Sequence, residues 1–145
     1  MNKTEVCKNK RIGYTTGVFD LFHIGHLNIL KQARENCDYL IVGCTVDELV
    51  RKRKNKNPII PFEERVLILQ SIRYVDEVVP QETMDKINAW EKLKFNVMFV
   101  GDDWKGTSQW QNYEIEFAKV GVAIVYFPYT METSSTLIRQ VLEKF

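Results

Sequence analysis

The sequence predicts an α/β fold of the Rossmann-like, doubly wound kind, with about five parallel strands and helices on both faces of the sheet. Three observations carry this. Short continuous apolar runs, such as Tyr39-Leu40-Ile41-Val42-Gly43-Cys44, have the pattern of parallel strands buried on both faces. Runs with helical apolar spacing alternate with them five times. The stretches between strands are long enough for crossover connections. Residues 1–145 read as a single domain, long enough to bury a core.

In chain order, residues 1–10 are a polar lead-in. A first strand spans Ile12 to Thr16, and a turn holding both histidines of the chain leads into a helix over Leu27 to Glu35. The second strand is Tyr39 to Cys44. After Asp47-Glu48-Leu49-Val50 comes the basic run Arg51 to Lys56, closed by Pro58 and Pro61. These prolines open a helix with Phe62, Val66, Leu67, Leu69 and Ile72 at helical spacing. Val75 to Val79 reads as a third strand stopped by Pro80, and Thr83 as the cap of a helix over Met84 to Leu93. Phe95 to Val100 is the fourth strand. A helix through Tyr113, Phe117 and Ala118 ends at Gly121, and Val122 to Phe127 is the fifth strand. Thr133 or Ser134 opens a further helix over Thr136 to Glu143.

Composition excludes several classes. Hydrophobic residues make up 45% and charged residues 27%, which is a globular rather than a disordered balance. The formal net charge of +1 gives no basis for broad nucleic-acid or membrane-surface binding. No apolar run approaches the roughly 20 residues needed to span a bilayer. The first residues lack a secretory signal, and the cysteines, Cys7, Cys37 and Cys44, are odd in number and widely spaced. A soluble cytoplasmic protein with reduced thiols is the expectation.

In open sheets of this kind ligands sit beyond the carboxyl ends of the strands, and four motif-like stretches fall there. The first is Gly17-Val18-Phe19-Asp20 followed by His23-Ile24-Gly25-His26, where strand gives way to helix. A helix start offers unpaired N–H groups and a positive dipole end to phosphates. The histidines read either as a packed or metal-binding pair or as phosphate donors. Metal ligation needs a third and usually a fourth ligand, and the converging loops add no cysteine or histidine, only Asp20. The second, Arg51 to Lys56, is a solvated run by default and a polyphosphate lid if it shares the rim. The third, Gly101-Asp102-Asp103-Trp104, is either a plain turn or a carboxylate that orients a nucleotide or magnesium beside the stacking aromatic Trp104. The fourth, Ser134-Ser135-Thr136, is an N-cap or a second phosphate site.

The pattern around His23 and His26 resembles the GxFDxxHxGH signature of the HxGH-motif nucleotidyltransferases. Arg73-Tyr74-Val75-Asp76-Glu77-Val78 and Gly101-Asp102-Asp103-Trp104 are similar to the cytidylyltransferase branch, above all to the bacterial glycerol-3-phosphate cytidylyltransferases. The resemblance implies that His23 and His26 contact the phosphates of CTP and stabilise the transition state. It implies that Gly17, Val18, Phe19 and Asp20 line the nucleotide site and that Arg73 reaches the CTP. Asp102 and Asp103 would sit near the cytidine, and Ser134, Ser135 and Thr136 match the ISTT-type motif. The family's lysines correspond to Lys54 and Lys56, with Lys52 the alternative because the loop runs about one residue longer. Arg65 matches a family arginine. Tyr129 stands where the family usually has arginine, and Glu132 where it has glycine.

The implied reaction transfers a cytidylyl group from CTP, with magnesium, to a small phosphorylated alcohol, glycerol 3-phosphate first among them. Choline-phosphate, ethanolamine-phosphate and other polyol phosphates are the alternative acceptors, and adenylyl transfer the alternative reaction. A nucleotide-binding module without catalysis is the reading from another class. A homodimer and a role in teichoic-acid or capsule precursors are implied by the family alone.

Overall fold

The computed structural model describes residues 10–128 and 135–144. Ser134, Tyr129, Glu132 and Cys7, and the capping expectation at Thr133 or Ser134, lie outside the described residues. The elements run β1 (Ile12–Gly17), α1 (Ile24–Glu35), β2 (Tyr39–Thr45), α2 (Asp47–Lys54), α3 (Phe62–Gln70) and β3 (Glu77–Gln81). They continue with α4 (Lys86–Leu93), β4 (Val97–Gly101), a 3-10 turn (Asp102–Trp104), α5 (Ser108–Ala118), β5 (Ala123–Phe127) and α6 (Ser135–Glu143). The five strands form one open parallel sheet in the order β3-β2-β1-β4-β5. This is the Rossmann-like α/β arrangement that the strand and helix alternation predicts.

Period-2 alternation in the strands splits the core into two layers. Leu40, Val42, Cys44, Val97 and Phe99 face Leu30 and Ala33 of α1 and Leu69 of α3. Ile12, Tyr14, Ile41 and Met98 face the other way, toward Ile87 and Trp90 of α4 and Trp110 and Phe117 of α5. Gly13 is where β1 lets the first layer close. A Cβ there would lie 2.5 Å from Phe99 Cε2 and 2.8 Å from Cys37 Sγ. The strand order reverses between β1 and β4, and their carboxyl ends splay into the crevice where such sheets take ligands.

Several boundaries differ from the sequence reading, each for a local reason. α1 begins at Ile24, three residues before Leu27, because the His23 side chain caps it. The basic run is helical as far as Lys54 rather than a loop, its cations placed at the negative end of the α2 dipole. β3 lies two residues later than expected and contains Pro80 instead of stopping at it. β3 is an edge strand, and proline is tolerated there because one side of the ladder needs no donor. α4 is capped by Asp85, whose carboxylate accepts from the amides of Ile87 (3.0 Å) and Asn88 (3.1 Å); Thr83 instead accepts from the Asp85 amide.

One side chain fixes the loops above the first core layer. Arg65 of α3 is 1% exposed. Its Nε donates to the Ile60 carbonyl at 2.8 Å, and Nη1 donates to the carbonyls of Val18 and Thr45, each at 2.7 Å. Nη2 pairs with the Asp47 carboxylate at the start of α2. The guanidinium thus ties the turn after β1, the end of β2, the head of α2 and the segment before α3. Replacing Arg65 with methionine leaves those carbonyls without their donor and is expected to cost about 3–5 kcal/mol. Urea unfolding at neutral pH measures that loss.

Candidate active site

A cleft of about 650 Å³ opens over the carboxyl ends of β1 and β4. Its first wall is the start of α1, built from the histidine turn. His23 Nδ1 accepts from the Gly25 amide at 3.0 Å, and His26 Nδ1 accepts from the His23 amide at 3.3 Å. The pair forms a reciprocal capping box with imidazoles in place of the usual hydroxyl and carboxylate. With both Nδ1 atoms accepting, each neutral ring carries its proton on Nε2 and has that N–H free to donate. The rings stack at 4.0 Å, and His26 also meets Phe19 and Phe22, each at 5.3 Å.

Burial lowers the pKa of both histidines. For His26 the fall reaches about 4, with the neighbouring His23 adding to it and Asp20 opposing it. At neutral pH the pair is therefore uncharged and presents two Nε2–H donors at a helix N-terminus.

The turn between β1 and α1 is strained. Phe19 and Leu21 both take left-handed backbone conformations, with φ of 56° and 53°. Asp20 between them is 6% exposed, and its carboxylate accepts from the amides of Ile59 and Ile60 at 2.8 Å each and pairs with Arg139 at 3.0 Å. Ser135 Oγ donates to the Asp20 carbonyl at 2.6 Å. Asp20 lines the cleft as the nucleotide reading expects, but its carboxylate is engaged in holding the turn against α3's leading segment and α6.

The second wall is the end of α2. Lys54 and Lys56 line the cleft. Lys52 does not; it pairs with Glu48 at 3.3 Å on the outer face. Asn55, left-handed with φ of 55°, ends the helix and turns Lys56 back toward the cleft. Gly17, Val18, Phe19, Asp103, Trp104, Ser135 and Thr136 join the lining. Trp104 is 37% exposed, its ring 6.5 Å from that of Trp110.

Two expected residues are not brought in. Asp102 opens the 3-10 turn outside the cleft lining. Arg73 lies at the opposite end of the sheet, four residues ahead of β3 and beside the start of β2, where the Asp76 amide donates to the Leu40 carbonyl. There Arg73 stacks on Tyr74 at 5.2 Å. A parallel strand carries the residues before it to the amino-end rim, so within this chain Arg73 does not reach the cleft.

Among the lining cations, Arg139 and Lys86 escaped the sequence reading, and Arg53 was named only as part of the basic run. Arg53 sits inside the basic run, where no spacing separates it from its neighbours. Arg139 and Lys86 are isolated cations on their helices and carry no motif. Lys86 is 4% exposed, and its ammonium donates to Thr16 Oγ1 at 3.0 Å. Burial and the nearby Arg53 pull its pKa down to about 8.

The lowered His26 pKa has a consequence for stability. Between pH 6.5 and about 4 the unfolded chain binds a proton that folded His26 refuses, so its contribution is whole above pH 6.5 and is lost as pH falls through that window. The His26→Gln variant should lack a slope approaching about 1.4 kcal/mol per pH unit there. Paired urea titrations of the two proteins across the window read the difference.

A cytidylyltransferase-like family model matches residues 14–141. The glycerol-3-phosphate cytidylyltransferase of Staphylococcus aureus is 38% identical over 129 residues, covering 88% of this chain and 92% of that protein. An FAD synthase of Pyrococcus abyssi is 36% identical over 143 residues, covering 94% and 97%. The crystal structure of a lipopolysaccharide core biosynthesis protein from Thermoplasma volcanium superposes with a TM-score of 0.70 at 23% identity, over 84% of this chain and 98% of that one, and supports the fold. Cleft, strand order and sequence agree, and the chain belongs to the cytidylyltransferase-like family of nucleotidyltransferases.

Proposed function

We propose that the chain transfers the cytidylyl group of CTP to a small phosphorylated alcohol, with glycerol 3-phosphate the foremost candidate. The products are a CDP-linked alcohol and pyrophosphate. The observation that carries this reading is the pair of neutral imidazole donors at the start of α1, with Lys54 and Lys56 in the lining of the same cleft. The likeness to the S. aureus glycerol-3-phosphate cytidylyltransferase supports the choice of nucleotide and acceptor.

In this reading an acceptor phosphate oxygen attacks the α-phosphorus of CTP. The new P–O bond forms as the bond to the bridging oxygen breaks, and its electrons leave with pyrophosphate. A phosphate monoester has a second pKa near 6 and is largely dianionic at neutral pH, so no protein base is needed. The chain's task is alignment and charge compensation around an in-line transfer. His23 and His26 donate to oxygens on which charge builds, and Lys54 and Lys56 offset the leaving pyrophosphate. Trp104 offers a face to the cytosine, and Ser135 and Thr136 present hydroxyls at the start of α6.

Magnesium belongs to this proposal as part of the CTP complex. Among the described residues no group of three or more His, Cys, Asp and Glu side chains could hold a metal ion, and the Asp20 carboxylate is occupied. The ion would be held mainly by the phosphates that bring it, as magnesium commonly is.

A homodimer is part of the proposal: Leu67, 62% exposed, and Ile68, 39% exposed, stand on α3, and Leu67 lines a groove with Val78, Val79 and Pro80 of the edge strand β3. A cytoplasmic location is likewise a proposal. Among the described residues no helix is long and apolar enough to cross a membrane.

The FAD synthase relative favours a second reading, adenylyl transfer. Pyrophosphate release with CTP against ATP, over a panel of phosphorylated alcohols and with product masses measured, separates the two. Product with ATP alone overturns the cytidylyl reading. In the same assay His23→Ala and His26→Ala are expected to lower kcat about 100- to 1,000-fold. Their melts should register the loss of a helix cap, about 1 kcal/mol, to which His26→Ala adds the loss of its ring contacts with Phe19 and Phe22. Unchanged turnover would remove the histidines from the mechanism.

A further inference from the structure

α6 turns its polar side to the cleft and its apolar side to solvent, the reverse of a helix held by burial. Ser135, Thr136, Arg139, Gln140 and Glu143, at the spacing of one helix face, line the cleft. Leu137, Val141 and Leu142 are 45% to 50% exposed, and no residue of the helix is buried. The bonds that attach it are polar. Ser135 Oγ donates to the Asp20 carbonyl at 2.6 Å. Arg139 Nη2 donates to the Asp20 carboxylate at 3.0 Å and to the Asn57 carbonyl at 3.3 Å.

Those two acceptors belong to different walls of the cleft. Asp20 sits in the histidine turn, and its carboxylate also accepts from the amides of Ile59 and Ile60. Asn57 follows Lys56 directly, and its side chain accepts from Arg51 of α2 at 3.4 Å. Pro58, with φ fixed by its ring, stiffens the span between Asn57 and Ile59. One guanidinium therefore bridges α6 to the segment that carries Lys56, and Asp20 joins both to the histidine turn. The far end of that segment has a separate anchor, because Arg65 Nε donates to the Ile60 carbonyl at 2.8 Å. Losing Arg139 would free the Lys56 end and leave the rest attached. A helix held by a few part-exposed polar bonds opens at far lower cost than the sheet beneath it.

We propose that Arg139 is a positioning residue: it latches α6 onto Asp20 and, through Asn57, sets where Lys56 stands in the cleft. Closure of α6 and placement of Lys56 are then one event. The hydroxyls of Ser135 and Thr136 and the Lys56 ammonium meet the phosphates of the nucleotide together. The assignment rests on the cytidylyl-transfer reading above and adds to it the way the cleft closes on CTP.

The test is a double-mutant cycle in steady-state kinetics with CTP and glycerol 3-phosphate, over wild type, Arg139→Gln, Lys56→Ala and the pair. Removing a charge-assisted bond should lower kcat/KM for CTP about 10- to 100-fold in Arg139→Gln. Arg139→Lys, which keeps a cation facing Asp20, should recover part of the loss. Because Arg139 acts through Lys56, the pair should lose less than the product of the single losses. The shortfall should exceed about 2-fold, the margin within which independent sites multiply. Losses that multiply mean an arginine acting on the phosphates by itself, and they overturn the proposal. Unchanged kcat/KM in Arg139→Gln overturns it as well.

Hydrogen exchange of the proteins without ligand reads the latch independently of turnover. In Arg139→Gln the amides of α6 and of Ile59 should lose protection while those of β1, β2 and β4 keep it. Unchanged protection of α6 overturns the latch. Protection lost across the sheet in both Arg139→Gln and Arg139→Lys means a general structural role and overturns it too. Product with ATP alone would overturn the cytidylyl reading, and the cycle is then run with ATP. If neither nucleotide yields product, the exchange measurement decides the latch.

Discussion

Arg65 brings a full charge to a position with 1% exposure, and the loops on the α1 side of the cleft are tied together through it. Its planar fork makes this tolerable, because the donors point in fixed directions and meet the carbonyls of Val18, Thr45 and Ile60 and the carboxylate of Asp47. A lysine has one point of charge and could not hold those partners at once. The turn that carries the histidines hangs from Val18, and the helix that carries Lys54 begins at Asp47. The spacing of the two cleft walls is thus tied to one guanidinium that is itself outside the cleft lining.

Around that anchor the cleft gathers the local costs of the structure. Phe19 and Leu21 hold left-handed conformations without being glycine, and the Asp20 carboxylate between them stabilises the turn through two backbone amides and Arg139. His26 gives up its charge to stay buried against Phe19, Phe22 and His23. The rest of the fold is satisfied: among the described residues no buried side-chain nitrogen or oxygen lacks a hydrogen-bond partner. Concentrating strain and desolvation at the ends of β1 and β4 leaves groups whose geometry is already set when a polyanion arrives.

Much of this was legible in the sequence because it rests on periodicity and on helix-start chemistry. The buried strands, the sheet with helices on both faces and the position of the histidine turn follow from apolar runs and punctuation. Boundaries shifted where a side chain or topology overrode those signals: His23 drew α1 forward by capping it, and an edge position let Pro80 remain inside β3. In the site, the motif residues of the histidine turn come together with Lys54 and Lys56. Arg73 lies outside the cleft lining within this chain because it precedes β3 and so stands at the amino-end rim of the sheet. Lys86 and Arg139 were invisible because their roles come from long-range partners, Thr16 and Asp20, which lie 70 and 119 residues away in the chain.

Pro80 has a further consequence for how copies of this chain can meet. It lies in register with Cys44 at the β3 edge of the sheet and is exposed. With no N–H to offer, it interrupts the row of donors and acceptors that an incoming strand would need. The edge is thereby blunted against continuation of the sheet into a neighbouring molecule, the route by which parallel edges nucleate aggregates. A second chain meeting the β3 side must do so through side chains, at the shallow apolar groove formed by Phe62, Val66, Leu67, Val78 and Pro80. Contact through such a groove adds no strand to the sheet at its β3 edge.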